Sequence, residues 1–287
     1  MIQDESILQY DFHRLSRNEI GAIVGLSENL GWDYSEKDVE GMMRSGVFFG
    51  HRNGAGKVIS TAAIFPYGNL ASLGVVMVDP GYRRKGLATE AIRACLGEVP
   101  GFPVTLVATE EGVPLYEKLG FRMVDTLDKL VAKRWSGQKP SEEGDGILRP
   151  LTEADIEPVL KLDRKVFGAN RETLLKWRIR QARERVLFRS PTGEISGFAL
   201  GVQGPDVLLI GPVIAPDPAS AAWLIHRIAS GHPGPMRIDL FSGHRGLSDW
   251  LIRNGFVRER KPPVMLKDGV LLPSGKNLIA VASQAFG

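Results

Sequence analysis

The residues best suited to chemistry lie between Val76 and Thr89, reading Val-Met-Val-Asp-Pro-Gly-Tyr-Arg-Arg-Lys-Gly-Leu-Ala-Thr. An apolar run ends at Val78, Asp79-Pro80-Gly81 turns the chain, and a helical pattern opens after Gly86. The N–H groups from Arg84 to Thr89 would then stand at a helix N-terminus. No carbonyl of the helix takes them there, and the aligned peptide dipoles add positive character. Gly86 and Ala88 are small enough for a ligand to approach the backbone, and Arg83, Arg84 and Lys85 set three cations at the rim. Together these features describe a cradle for a pyrophosphate. A glycine-containing turn alone would say little; the strand before it, the helix after it and the basic residues give it meaning.

Other reactive side chains offer less. Cys95 is the single cysteine, which excludes an internal disulfide framework and a cysteine-built metal cluster. It falls on the apolar face of the helix after Gly86, as a small buried residue rather than a nucleophile. His13, His51, His226, His232 and His244 show no metal-ligand spacing, so no metal is expected. Asp33, Glu36, Glu110 and Glu111 are candidate general bases, with Glu110 and Glu111 ranked first because they follow the strand at Val104–Ala108. Each also reads as a solvated carboxylate or helix cap, and no base is assigned. Trp32 reads as core or as a pocket wall. The run Arg178 to Arg185 is basic, yet 36 Lys and Arg against 33 Asp and Glu leave a net charge of only +3. With no aromatic stacking platform beside that run, nucleic acid is not an expected partner.

The elements that must position the cradle can be read from capping and periodicity. The 287 residues suit two domains, and 43% hydrophobic with 24% charged residues is a composition that builds packed cores. Strands are expected at Ile7–Phe12, Val47–His51, Lys57–Phe65, Ala71–Val78, Val104–Ala108 and Arg122–Leu130. Helices open at Ser16, with Glu19 completing a capping box, after Ser35, after Gly86 and at Val113. A polar run from Lys133 to Gly146 separates this half from a second that repeats it. There, strands are expected at Ile147–Arg149, Arg185–Phe188, Ile195–Val202, Val207–Val213, Met236–Phe241 and Val264–Lys267. Helices follow Thr152, Arg171, Ala219 and Gly246. The clearest echo sets Leu115-Tyr116-Glu117-Lys118-Leu119-Gly120-Phe121 against Trp250-Leu251-Ile252-Arg253-Asn254-Gly255-Phe256. Each is a helix closed by glycine with a phenylalanine returning to the core. The expected architecture is α/β (α+β): two tandem domains, residues 1–134 and 147–287 joined by 135–146, each a mixed, mainly antiparallel sheet flanked by helices.

Arg83-Arg84-Lys85-Gly86-Leu87-Ala88 resembles the Arg/Gln-x-x-Gly-x-Gly/Ala motif of the GNAT (Gcn5-related N-acetyltransferase) family. Pro114-Leu115-Tyr116-Glu117-Lys118-Leu119-Gly120-Phe121 is similar to that family's later helix motif. Their order, with a strand between them, makes the resemblance specific, and the whole chain resembles a tandem GNAT protein with a diverged second copy. Gly31-Trp32-Asp33 and the stretch Val281 to Gly287 are also similar to that subgroup. The resemblance implies acetyl-CoA as donor, its pyrophosphate on Arg83, Arg84, Lys85, Gly86, Leu87, Ala88 and Thr89, and its pantetheine along Val76, Met77 and Val78. A backbone N–H near Val76 would polarise the thioester. Tyr116 would protonate the leaving thiolate, a step its phenol suits chemically.

In the second half the matching stretch, Gly211 to Ala219, has no basic residue and three prolines, and Leu251 stands where Tyr116 stands. That copy is expected neither to bind CoA nor to catalyse, and to wall one side of the acceptor pocket instead. The expected function is acetyl transfer to a primary amine of a small molecule or peptide by direct attack. The alternative is a non-catalytic CoA-binding sensor or interaction module; another acyl donor, such as succinyl-CoA, stays open. No apolar run approaches membrane length, and the acidic start Met1 to Glu5 lacks the pattern of a secretory leader, so a cytoplasmic protein is expected.

Overall fold

The structure, a computed structural model, describes residues 10–140, 146–269 and 276–287. The first half runs β1 (Asp11–Arg14), α1 (Ile20–Asn29), α2 (Glu36–Ser45), β2 (Val47–Arg52), β3 (Val58–Pro66), β4 (Ala71–Val78), α3 (Leu87–Gly97), β5 (Val104–Val107), α4 (Val113–Lys118) and β6 (Arg122–Ala132). The second runs β7 (Ile147–Pro150), α5 (Ile156–Phe167), α6 (Glu172–Gln181), β8 (Ala182–Arg189), β9 (Ile195–Gln203), β10 (Leu208–Ile214), α7 (Pro218–Ala229), β11 (Met236–Phe241), α8 (Arg245–Arg253), β12 (Val257–Arg260), β13 (Pro263–Lys267) and β14 (Leu278–Ala280). Of the strand expected at Ile7–Phe12, residues 7–9 lie outside the described residues, as do the acidic start and residues 141–145.

Local chemistry explains where the helices begin. Capping boxes form at Ser16/Glu19, Ser35/Asp38 and Thr152/Asp155, each with the carboxylate accepting from the N–H of the hydroxyl residue that precedes the first turn. Ile23 and Leu26 of α1 and Val39 and Met42 of α2 pack with Phe65, Val75 and Met77 on one face of the first sheet half. Ala91, Ile92 and Cys95 of α3 pack with Leu73, Val104 and Leu106 on the other. In the second half α5 and α6 take the first kind of position and α7 and α8 the second.

Each half is a mixed, mainly antiparallel sheet flanked by helices, as expected, but the two sheets are continuous. Strand order is β1-β2-β3-β4-β5-β13-β6-β11-β14-β10-β9-β8-β7, with β12 also on β6. The halves exchange their closing strands. β6 pairs with β11 from Leu127 to Ala132, while β13 pairs with β5 from Val104 to Val107. The exchanged strands β6 and β13 also pair with each other, from Thr126 opposite Pro263 to Arg122 opposite Leu266, and β12 pairs with β6 at Val131 opposite Val257.

After β14, the chain crosses the sheet face that carries α1 and α2. Arg178 Nη2 donates to Ala282 O (3.2 Å), Gln284 Nε2 to Asp239 Oδ1 (2.8 Å) and Tyr67 Oη to Phe286 O (2.7 Å). The passage is so close that a Cβ on Gly74 would lie 1.8 Å from Ala285 O. Gly74→Ala is therefore expected to cost about 1–3 kcal/mol, the usual penalty for overpacking, measured by urea unfolding.

Candidate active site

β4 and β5 run parallel but share only two registered pairs, Ala71 with Val104 and Ser72 with Thr105. Beyond Ser72 they part, and no strand among the described residues pairs with the β5 side of β4 along Val76, Met77 and Val78. A bulge in the β3–β4 ladder sets the shape of this fork. The register slips between Thr61 and Ala63, Val75 takes φ +52°, and the Thr61 hydroxyl donates to Val75 O at 2.6 Å. A bulge of this kind re-aims backbone groups next to it. Met77 is buried beneath α1 and α2, whereas Val76 and Val78 are half-buried.

The cradle follows. Asp79 caps the turn by accepting from Gly81 N (3.0 Å) and is held by Lys57 at 2.8 Å, a contact that keeps its carboxyl below the usual carboxylate range. Arg84 (φ +63°) and Gly86 (φ +81°) both adopt left-handed conformations, and Gly86 is the N-cap of α3. Alternation of this sort turns successive N–H groups to one side, the geometry of an anion-binding nest. Arg83 and Arg84 are exposed, while Leu87 is buried in the core and pins the start of α3. Lys85 is more constrained than its sequence suggests. Its Nζ donates to the Tyr10 hydroxyl (2.8 Å) and sits over the rings of Tyr10 and Tyr82. His51 braces the same end of α3. Fully buried, it lies 2.7 Å from Ser60 Oγ and 3.1 Å from the Glu90 carboxylate, and burial holds its imidazole below the usual range.

Tyr116 lies on α4, buried against Phe121 with the rings edge to face at 5.9 Å, in the cluster that contains Ala91 of α3 and Leu106 of β5. Burial raises its hydroxyl well above the usual phenol range, so it stays protonated at working pH. Arg83 and Glu111 approach to 3.9 Å, tying the cradle to the loop that leads into α4. Glu111 is otherwise solvent-exposed, as is Glu110, and Asp33 lies toward the β9–β10 turn of the second half, 3.8 Å from where a Gly204 Cβ would sit. Trp32 packs on Tyr34 at the edge of the core. Cys95 is fully buried, and its thiol is pushed up by that burial. No group of three or more potential metal ligands occurs among the described residues.

The second half has the same fork with a different content. β10 and β11 pair directly at Leu208–Ile210, then separate at Gly211-Pro212. Here β14 fills the gap: Ala280 pairs with Val213 of β10 and Leu240 of β11, and Leu278 with Ile214. A Cβ on Gly211 would lie 2.2 Å from Val281 O. Sequence reasoning had no strand at β14. The signal was the apolar run Leu278-Ile279-Ala280-Val281, too short to show a period.

Two matches to the family described as Acetyltransferase (GNAT) domain cover residues 44–123 and 159–279. The chain is 35% identical over 276 residues to an uncharacterised N-acetyltransferase, YitH, of Bacillus subtilis (strain 168), covering 96% of this chain and 97% of that protein. Among solved structures, an acetyltransferase candidate from Pyrococcus horikoshii superposes with a TM-score of 0.80 at 18% identity, covering 97% of this chain and 96% of that one. A tandem GNAT protein from the clavulanic acid biosynthesis pathway gives 0.65 at 14% identity, covering 93% of this chain and 99% of that one. These structural likenesses speak for the fold.

Proposed function

The chain belongs to the GNAT family of acetyltransferases, and on that premise we propose that it moves an acetyl group from acetyl-CoA to a primary amine by direct attack, using the open fork of the first half. The observation that carries this reading is the contrast between the forks. In the second half a chain segment, β14, lies along β10 as an added strand; in the first half no strand among the described residues pairs with the equivalent edge of β4, which leads to the nest at Arg84–Gly86.

Bound acetyl-CoA would supply the thioester carbon that the amine attacks. The N–H groups from Arg84 to Thr89, with the Arg83 and Arg84 guanidinium groups, would hold the pyrophosphate. Lys85, its ammonium already tethered by Tyr10, would add its N–H and nearby charge. The backbone of Val76, Met77 and Val78 would hold the pantetheine as β10 holds β14, and the Val76 N–H would stabilise charge developing on the thioester oxygen. As the new C–N bond forms and the C–S bond breaks, Tyr116 would give its proton to the departing sulfur and regain one from water. The proton lost by the amine would leave to water, since no carboxylate is assigned as base. On this reading residues 1–134 carry the donor site, and 147–287, beyond the connector 135–146, close the acceptor side.

Titration calorimetry should find one CoA site per chain. Gly86→Val should weaken that binding by at least about tenfold, because a β-branched residue at φ +81° is strained and its methyl groups would narrow the nest. Absence of CoA binding by the native chain, or unchanged affinity in Gly86→Val, would refute the donor site.

A further inference from the structure

We infer that the acceptor is a primary amine carried on an apolar, otherwise uncharged body, received in a cavity that both halves build behind the fork. This rests on the donor site proposed above. A cavity of about 60 Å³ that opens to solvent is lined by Ser72, Thr105 and Val107 of the first half and by Phe167, Phe241 and Val264 of the second, together with the chain after β14. Ser72 and Thr105 form the last registered pair before β4 and β5 part, so the cavity backs onto the closed end of the fork. Leu73 packs under α3, so its neighbour Ser72 faces the opposite side of the sheet. An acceptor held there would reach the fork from the face opposite α3.

The chemistry of the lining restricts what can bind. Apart from the hydroxyls of Ser72 and Thr105, every lining side chain is apolar, and none is an acid or a base. A polycation would lose its hydration with no side-chain countercharge in return, whereas an alkyl or aryl-alkyl group gains by leaving water. The two hydroxyls lie at the closed end of the fork, the side from which an amine would approach the thioester, and the rest of the lining is apolar. Phe167 and Phe241 belong to the second half, and they give it a part in selecting the acceptor.

The test uses the full chain with saturating acetyl-CoA, following thiol release and product mass. The amines are propylamine to hexylamine, 2-phenylethylamine, spermidine and a lysine-containing peptide. kcat/KM should rise roughly fourfold per added methylene, the factor expected for burying a CH2 group, and spermidine and the peptide should be at least about tenfold poorer than hexylamine. Val107→Asp should raise KM for hexylamine at least about tenfold, with CoA affinity unchanged. Phe241→Ser tests the opposite wall should the first variant fail to fold, and should flatten the dependence on chain length. A flat series, no acetylation of any amine, or preference for spermidine or the peptide, with normal CoA binding, would overturn this inference and leave the donor site standing. Failure to bind CoA would remove the donor site itself.

Discussion

Tyr116→Phe is expected to lower kcat by about 100-fold or more at neutral pH while leaving the CoA dissociation constant within about twofold, since a placed general acid contributes roughly that much. The substitution removes one oxygen and keeps the ring, so the edge-to-face contact with Phe121 survives and the core cluster of α3, α4 and β5 is undisturbed. Burial keeps the phenol protonated through the working range, so loss of its proton should add no alkaline limb to the rate profile. Single-turnover acetylation compared with equilibrium CoA binding separates the two effects. A large loss of CoA affinity with unchanged turnover would make Tyr116 a binding residue.

The second large effect concerns stability. Arg171 and Asp163 form a buried pair, with Nε–Oδ2 at 3.0 Å and Nη2–Oδ1 at 2.8 Å. Arg171 also donates to Gly287 O at 2.8 Å and stacks on Phe167 at 3.9 Å. Asp163→Ala would leave the guanidinium buried without its countercharge, a loss of about 3–5 kcal/mol. For a chain of this size the melting temperature should fall by roughly 6–15 °C, read by calorimetry. A fall of less than about 3 °C would show that water reaches the site. Because Phe167 lines the proposed acceptor cavity, the same variant should also raise KM for the acceptor.

What could be read from the sequence was what is coded within a few residues. Ser16/Glu19, Ser35/Asp38 and Thr152/Asp155 each close a capping box over three residues, and all three mark observed helix starts. The turn at Asp79-Pro80-Gly81 and the helix that opens after Gly86 were likewise visible from residue type, whereas the left-handed turns at Arg84 and Gly86 were not. The partners of each strand were not. The alternation in Arg122–Ala132 suits any neighbour with a buried face, and nothing local distinguishes β5 from β11 as its mate. β12 escaped notice because all four of its residues, Val257–Arg260, are exposed and three are charged. The contents of the forks depend on contacts across most of the chain, such as Tyr67 with Phe286, which no periodicity records.

The exchange of closing strands has a mechanical consequence. Swinging one half away from the other would shear the main-chain ladders of β5 with β13 and of β6 with β11 and β12. A clam-shell opening is therefore unavailable to this molecule. Traffic into a cavity shared by the halves has to pass through rotamer changes or small shifts of the loops at its mouth, and the walls that judge an incoming molecule keep a fixed separation throughout turnover.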